Sequence, residues 1–215
     1  MPISDTKNTP TVIVLAAGRG QRFASTQHKL AQALGGSTVL ASTLNHVIAS
    51  RLPLVVVTTD VLETQARELV AARDIVTLPH ADAQAGLGMG RSIAAGVQAR
   101  AQSAGWLVLP ADMPLVRPDT LRTIAAALAN HPIVYAQHRG QRGHPVGFSS
   151  ELYSELSALS GDEGARRLVA RYPSVAVEVD DHGVLMDIDT TDDLLLAQAY
   201  HAADQATLPT NSRLK

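Results

Sequence analysis

The 215-residue sequence contains no cysteine, few aromatic residues and no long apolar run, and each shortage excludes a class of protein. Without cysteine there is no disulfide framework and no thiolate metal site. Two phenylalanines, four tyrosines, one tryptophan and a net charge of −2, with no basic run, argue against nucleic-acid binding. No apolar run reaches the roughly 18 residues that cross a membrane, and the first eleven residues contain no signal-peptide core. We therefore expect a cytoplasmic protein that binds neither nucleic acid nor membranes.

The remaining composition is that of a folded α/β protein. Apolar residues make up 46% of the chain and charged residues 18%, and the length suits one domain. Continuous apolar runs such as 11–17 and 52–60 alternate with helical patterns, for example an apolar stripe from Leu121 to Leu128. This rhythm predicts a mainly parallel twisted sheet with helices on both faces. We expect a flexible N-terminus at 1–10, one domain at 11–203 and a flexible tail at 204–215.

The alternation of strands and helices weakens after about Gln137, which predicts a less regular C-terminal half. Residues 138–148 read as a loop or a hairpin, and a helix is predicted to begin at Asp162. Residues 174–189 read as two strands around a turn at 180–183. The last helix is predicted to begin near Thr190, as an N-cap, with Asp193 in its first turn.

The turn after the first strand has the residues of a phosphate-binding loop. Ligands of open α/β sheets bind beyond the carboxyl ends of the strands. Here a glycine-permitted turn, 18–20, is followed by Arg22 and Lys29, and backbone N–H groups with such cations suit a polyphosphate. The turn is not a dinucleotide fingerprint, whose third glycine would fall at Phe23, nor a Walker P-loop. An ordinary β–α turn with solvated charges remains the alternative.

Two further segments carry candidate site residues. Asp112 directly follows an apolar strand, where a carboxylate facing phosphates is a natural Mg²⁺ ligand, although a turn-capping aspartate is the alternative. Asp187 and Asp189 would share one face of a strand, which is costly without a cation, or would form an ordinary polar strand end. The glycine-rich helix start at 85–93 would let backbone approach a flat ligand, but such starts are common.

Together the motifs are far more specific than any one of them. The stretches LAAGRGQRF, AGLGMGRSI, LPADMPLV, GHPVGF, GDEGARRL and DIDTTDDL, in this order, resemble the molybdenum cofactor cytidylyltransferases, a branch of the molybdenum-cofactor nucleotidyltransferase-like NTP transferases. The resemblance covers the chain from Val12 to about Ala203 and implies a single-domain Rossmann-like nucleotidyltransferase fold with an acceptor-binding C-terminal half. The chain departs from the family loop at Gly20, at Phe23 and Ala24, and in the later position of Lys29.

The resemblance also implies roles for individual residues. The catalytic residues would be Lys29, Arg22 and Asp112. Asp112 and Asp187 would hold Mg²⁺, with Asp189 as the alternative second ligand. Substrate-binding residues would comprise the loop residues Ala16, Ala17, Gly18, Arg19 and Gly20 at the phosphates, then Gly86, Gly88, Met89 and Ser92 at the base and ribose, and His144 and Arg166 at the acceptor.

The implied reaction transfers CMP from CTP to the phosphate of a molybdopterin-type acceptor and releases pyrophosphate. A molybdoenzyme that receives the product would be a further partner. One alternative is transfer of GMP or another nucleotide to a related small phosphate, although Ala17 in LAAG favours cytidine by resemblance. Another is a non-catalytic molybdenum cofactor carrier or insertion chaperone, against which Lys29, Asp112 and Asp187 argue together. A dinucleotide oxidoreductase is disfavoured by the missing third glycine.

Overall fold

The computed structural model describes residues 9–18, 23, 27–79 and 88–207, with side chains as far as residue 203. The strands are β1 (Thr11–Ala16), β2 (Ala33–Leu34), β3 (Ser37–Thr38), β4 (Leu54–Thr59), β5 (Ile75–Leu78), β6 (Gly105–Pro110), β7 (Ile133–His138), β8 (Gln141–Ser149) and β9 (Ser174–Glu178). The α-helices are α1 (Val39–Ser50), α2 (Asp60–Arg67), α3 (Gly88–Ala99), α4 (Pro118–Ala127), α5 (Tyr153–Ser157), α6 (Arg166–Arg171) and α7 (Thr191–Thr207).

Seven strands form one sheet in the order β5-β4-β1-β6-β8-β7-β9, and β2 and β3 pair separately. The half made of β5, β4, β1 and β6 is entirely parallel. β8 runs antiparallel to both of its neighbours, β6 and β7, while β9 is parallel to β7. The predicted mainly parallel sheet is therefore confirmed, and its irregular part lies in the second half of the chain.

The central strand β1 is buried on both faces, because successive side chains of a strand point to opposite sides. Val12 and Val14 pack with α1 and α4 on one face of the sheet. Ile13 packs on the other face with Ile93 and Val97 of α3. These two apolar layers confirm the prediction of helices on both faces of a single-domain α/β sheet. Within the described residues, no helix combines the length and the apolar character needed to cross a membrane.

Two predictions in the second half of the chain are wrong. The helix predicted from Asp162 begins only at Arg166, because Gly161 and Gly164 adopt positive φ angles of 72° and 57° that interrupt a helix. The second strand predicted within 174–189 does not form; a 3₁₀ turn occupies His182–Leu185 instead. Gly183 packs directly on Leu115, where a Cβ would lie 2.2 Å from the carbonyl oxygen. The predicted flexible ends at 1–10 and 204–215 stay predictions.

Candidate active site

A cavity of about 1100 Å³ opens at the carboxyl ends of β1, β4 and β6. Because these strands are parallel, the segments that follow them meet at one edge of the sheet. The antiparallel β8 contributes its beginning to the same edge, since Val108 of β6 pairs with Val146 and the register then runs back toward His144. The topology thus brings the charged segments from both halves of the chain into one cleft.

Ala17 and Gly18 extend β1 into this cleft and line it. His28 connects the two ends of the loop that follows: its Nε2 donates to the carbonyl oxygen of Gly18 over 3.0 Å, while its Nδ1 accepts from the Leu30 N–H over 3.2 Å. A neutral imidazole protonated on Nε2 satisfies both bonds. His28 was not predicted as a site residue, and nothing in its sequence context marks it as one. It fixes the position from which Lys29 enters the cleft.

Lys29 lies at the centre of the charged part of the cleft. Its Nζ donates to Asp112 Oδ2 over 2.5 Å and to Asp189 Oδ1 over 2.8 Å. The Lys29 side chain is 11% exposed and each carboxylate 18%. Burial by itself lowers the pKa of Lys29, but the two carboxylates outweigh it and the pKa lies above its ordinary value. Lys29 is therefore a fixed positive charge between two negative ones.

Asp112 is held in place by backbone on both sides. The preceding Ala111 N–H donates to the carbonyl oxygen of Leu15 over 3.0 Å, and the Asp112 carbonyl oxygen accepts from the Ile188 N–H over 2.9 Å. The second bond ties the late acidic segment to the end of β6. Asp112 Oδ1 is buried and accepts no hydrogen bond from the described residues. A carboxylate oxygen in this state has the chemistry to bind a hard cation.

The structure distinguishes the two late aspartates. Asp189, the alternative second ligand of the sequence analysis, contacts Lys29 beside Asp112. Asp187 lines the same cavity, and its pKa is raised by burial together with the negative charges of Asp189 and Asp112. In the described part of the chain, no group of three or more His, Asp or Glu side chains is arranged to hold a metal ion. A metal bound here would need oxygen atoms of a bound molecule, in addition to the protein side chains, to complete its coordination.

A second part of the cleft lining carries basic side chains. His144, Arg142 and Arg166 all line the cavity. Burial lowers the pKa of His144 despite the nearby Asp112, and Arg142 lowers it further, so the imidazole is biased toward its neutral form. The Arg142 guanidinium lies 4.4 Å from the centroid of the Tyr135 ring, which is a cation–π contact. Arg142 was not predicted from the sequence, although it lies two residues before the predicted His144.

The start of α3 lines the third side of the cleft with Gly88, Met89 and Ser92. The sequence suggested that the glycines at this helix start let the backbone approach a ligand. The structure shows a packing reason for one of them, Gly88. Gly88 has φ +65°, and a Cβ there would lie 2.3 Å from Gly161. The glycine is therefore required by packing of α3 against the loop before α6. Met89 is 49% exposed, whereas Ser92 is 8% exposed at the inner end of this surface.

The other predicted site residues fall outside this surface or outside the described residues. Ala16 is 1% exposed within β1 and does not line the cavity, so only its main chain could contact a ligand. Arg19, Gly20, Arg22 and Gly86 lie outside the described residues.

The fold and the charged cleft at the carboxyl edge of the sheet are those of a nucleotidyltransferase, and the chain is an enzyme of this class. Residues 12–176 match the MobA-like NTP transferase domain, and the chain belongs to this family. The resemblance drawn from the motifs is thereby confirmed at the level of the family.

Known proteins are similar over nearly the whole chain. Purine catabolism protein PucB of Bacillus subtilis (strain 168) is 31% identical over 192 residues, which cover 84% of this chain and 92% of PucB. The crystal structure of Rv0371c from Mycobacterium tuberculosis H37Rv has a TM-score of 0.76 at 28% identity and covers 89% of this chain and 98% of its own. A manganese complex of Rv0371c covers the same shares at 27% identity, with a TM-score of 0.71.

Molybdopterin-guanine dinucleotide biosynthesis protein A from Archaeoglobus fulgidus shares the fold. Its TM-score is 0.63 at 20% identity, and the match covers 90% of this chain and 99% of that protein.

Proposed function

We propose that this enzyme transfers CMP from CTP to the terminal phosphate of a molybdopterin-type acceptor and releases pyrophosphate. The observation that carries the proposal is the pairing of two different walls in one cleft. One wall holds Lys29 between Asp112 and Asp189 at the end of the parallel strands. The other presents His144, Arg142 and Arg166. The first suits a metal-bound nucleoside triphosphate, the nucleotide donor, and we call it the donor wall. The second suits an anionic acceptor, and we call it the acceptor wall.

The proposed reaction depends more on the alignment of its two substrates than on proton transfer. An oxygen of the acceptor phosphate forms a bond to the α-phosphorus, the bond from that phosphorus to the oxygen bridging to the β-phosphate breaks, and pyrophosphate leaves with the electron pair. A phosphate monoester has its second pKa near 6, so its attacking oxygen is already ionised at neutral pH. The protein must hold two repelling anions in line and neutralise the charge that develops.

The residues of the donor wall supply this neutralisation in the proposed complex. Lys29 donates to the triphosphate, and the backbone of Ala17 and Gly18, which lines the cleft, faces the phosphates. The predicted contributions of Arg19, Gly20 and Arg22 belong to the same loop, outside the described residues. On the acceptor wall, Arg166 and Arg142 orient the acceptor phosphate. His144, biased toward its neutral form, can hydrogen-bond the acceptor without adding a charge.

A divalent metal fits the carboxylates of the donor wall. Asp112 has a buried oxygen without a hydrogen-bond partner among the described residues, and Asp189 lies across Lys29 from it. We propose that these two hold Mg²⁺, in preference to the predicted pair of Asp112 and Asp187. The existence of a manganese complex of Rv0371c, a structure similar to this chain, supports the use of a divalent ion. Bound Mg²⁺ supplies charge neutralisation on the phosphates of the nucleotide.

The choice of base depends on Ala17, the first cleft-lining residue after β1. Its Cβ narrows the space that a second glycine would leave open, which favours a pyrimidine. Transfer of GMP is the second candidate, because the Archaeoglobus protein of the same fold is named for the guanine dinucleotide. A non-catalytic carrier would not need the Lys29 cluster, and we do not favour it.

A nucleotide panel tests the proposal. CTP, GTP, ATP and UTP are each incubated with Mg²⁺ and molybdopterin, and pyrophosphate release is measured. We expect CTP to be turned over fastest, with release dependent on the acceptor. Faster turnover of GTP would assign GMP transfer instead. No pyrophosphate from any nucleotide with molybdopterin, but release with another phosphate acceptor, would overturn the acceptor assignment.

A further inference from the structure

Lys29 contacts the same two carboxylates that are proposed to hold the metal. One ammonium bridges Asp112 Oδ2 at 2.5 Å and Asp189 Oδ1 at 2.8 Å. All three side chains are largely shielded from solvent, with exposed fractions of 11% for Lys29 and 18% for each aspartate. Two carboxylates this close would repel one another in the absence of a cation. In the free protein, Lys29 is that cation.

The backbone that carries the two carboxylates is held by hydrogen bonds, whereas the ammonium is carried on a long side chain. The Asp112 backbone is bonded to the Ile188 N–H, and the N–H groups of Asp189 and Thr190 both donate to Asp193 Oδ2, at 3.2 Å and 2.8 Å. A lysine side chain, by contrast, carries its charge on a flexible four-carbon stem. Any exchange of cations at this site must therefore occur by movement of Lys29 and not of its partners.

A single ammonium cannot serve the carboxylates and a triphosphate equally well. Lys29 has three N–H donors, and two of them are directed at the carboxylates. The other carboxylate oxygen of Asp112, Oδ1, is left buried without a partner in the described part of the chain. The resident lysine thus offsets one of the two negative charges and leaves one carboxylate oxygen without a partner, whereas a divalent cation offsets both charges and has more coordination positions.

We propose that Lys29 is an exchangeable counter-cation of the Asp112–Asp189 pair: it occupies the metal position in the free enzyme and moves to the triphosphate when the metal–nucleotide complex binds. The inference rests on the proposed function only in taking the nucleotide as the new partner of Lys29. A bare divalent ion must displace the ammonium with no new anion to receive it. A metal–nucleotide complex brings that anion, so metal and nucleotide bind with positive coupling.

The direct test is metal affinity without nucleotide. Mn²⁺ binding is titrated by the electron paramagnetic resonance signal of the free ion, for the wild type, Lys29→Met and Lys29→Gln. Removing the competing charge should tighten Mn²⁺ binding about tenfold or more. Adding Asp112→Asn to Lys29→Met should abolish the gain. Equal or weaker Mn²⁺ binding by both Lys29 variants would overturn the proposal.

Arg142→Met is the matched control. It removes one positive charge from the same cleft but from a side chain stacked on Tyr135 and not on the carboxylates. Through solvent and salt its effect on Mn²⁺ affinity should stay below about twofold. A gain equal to that of the Lys29 variants would show a general field effect and contradict the exchange. Lys29→Gln keeps two N–H donors for the carboxylates, so it serves the comparison even if Lys29→Met does not fold, as judged by circular dichroism.

Removal of Lys29 should weaken nucleotide binding, whereas it should tighten Mn²⁺ binding. Calorimetry with Mn²⁺–CTP should show affinity lowered about 10- to 100-fold in Lys29→Met, because a charge-assisted contact to phosphate is lost. Tighter Mn²⁺ binding combined with no binding of CTP to any form would support the exchangeable cation and refute the proposed nucleotide. CTP turnover by the wild type combined with unchanged Mn²⁺ affinity would do the reverse.

Discussion

The two walls of the cleft carry charges in contrasting states. On the donor wall, Lys29 contacts two carboxylates within 2.8 Å, and all three groups are mostly buried. On the acceptor wall, Arg142 and Arg166 are exposed and pair with no carboxylate in the described part of the chain. On the donor wall the charges are already paired with one another before any ligand arrives, whereas the acceptor wall presents positive charge to solvent.

The difference follows from how each wall is built. The donor wall stands at the ends of parallel strands, where segments far apart in the chain are fixed by backbone bonds and can hold opposite charges in contact. The acceptor wall comes from the start of β8 and the start of α6, where Arg142 and Arg166 are exposed. We therefore expect ligand exchange on the donor wall and simple, salt-sensitive attraction on the acceptor wall. Four sets of substitutions test this contrast.

Asp112→Asn should give the largest effect. The substitution keeps the shape of the side chain but removes a charge from the donor wall and a ligand oxygen from the proposed metal site. Turnover should fall about 10²-fold or more, as for other single electrostatic groups in active sites. The measurement is the rate of pyrophosphate release at saturating Mg²⁺ and CTP, with the thermal unfolding midpoint as the control for folding. Activity within a few-fold of wild type would remove Asp112 from the mechanism.

Asp189→Asn and Asp187→Asn separate the two late aspartates. Asp189 contacts Lys29, whereas Asp187 only lines the cavity. We expect Asp189→Asn to approach the loss seen for Asp112→Asn, and Asp187→Asn to cost clearly less. If Asp112 and Asp189 act through one ion, their double substitution should cost less than the product of the single effects. A larger loss in Asp187→Asn would restore the pair predicted from the sequence.

Arg166→Ala should act on the acceptor alone. Loss of one charge-assisted contact corresponds to about a tenfold rise in the apparent KM for molybdopterin, with the KM for CTP nearly unchanged. Arg167→Ala is the control, because its neighbouring guanidinium is ion-paired with Glu163 and does not line the cavity. Steady-state kinetics with each substrate varied in turn give both constants. A change confined to the KM for CTP would move Arg166 to the donor wall.

Ala17→Gly should have the smallest effect. Removing the Cβ widens the cleft beside the base without touching any charge, so the ratio of kcat/KM for CTP over GTP should fall a few-fold, since one methyl group is worth only about 1 kcal/mol of discrimination. The measurement is competition between CTP and GTP in a single reaction. A wild type that already turns over GTP as fast as CTP would contradict the steric explanation.

The parallel half of the fold could be predicted from the sequence because its signals are local. The apolar run of β1 predicts a buried strand, and the stripe from Leu121 to Leu128 predicts an amphipathic helix. The burial of these side chains confirms both predictions. The N-cap at Thr190 is confirmed by its reciprocal bonds with Asp193: the Asp193 N–H donates to Thr190 Oγ1, and the Thr190 N–H donates to Asp193 Oδ2. Such features depend on residues a few positions apart, so pattern alone identifies them.

β8 could not be predicted with the same certainty, because long-range packing overrides its composition. It contains Pro145, Gly143 and Gly147, and proline and glycine are unusual in a central strand. Yet Gly143 and Gly147 are needed there. A Cβ on Gly143 would lie 2.1 Å from the Val184 carbonyl oxygen, and one on Gly147 would lie 2.8 Å from Val134. The reasons for these glycines lie on other segments of the chain.

The site shows the same division. The sequence brought Lys29 and Asp112 into one hypothesis, and the structure places them in contact. The strand pattern placed Asp187 and Asp189 on one face, and the preference for Asp187 came from the family resemblance. The structure has a 3₁₀ turn at His182–Leu185 before both residues and places Asp189 in contact with Lys29. Arg142 is positioned by the pairing of β8 with β7, and the residues around Arg142 do not by themselves predict that it lines the cleft.

The hairpin between β7 and β8 turns through only Arg139 and Gly140, both at positive φ, with His138 and Gln141 paired across it. This turn adjoins the acceptor wall but contributes no residue to the parallel half of the sheet. Insertions or substitutions there can reshape the surface that meets the acceptor while the nucleotide-binding strands keep their register. One fold can in this way change the acceptor that it binds by altering a single turn, while the part of the sheet proposed to bind the nucleotide stays the same.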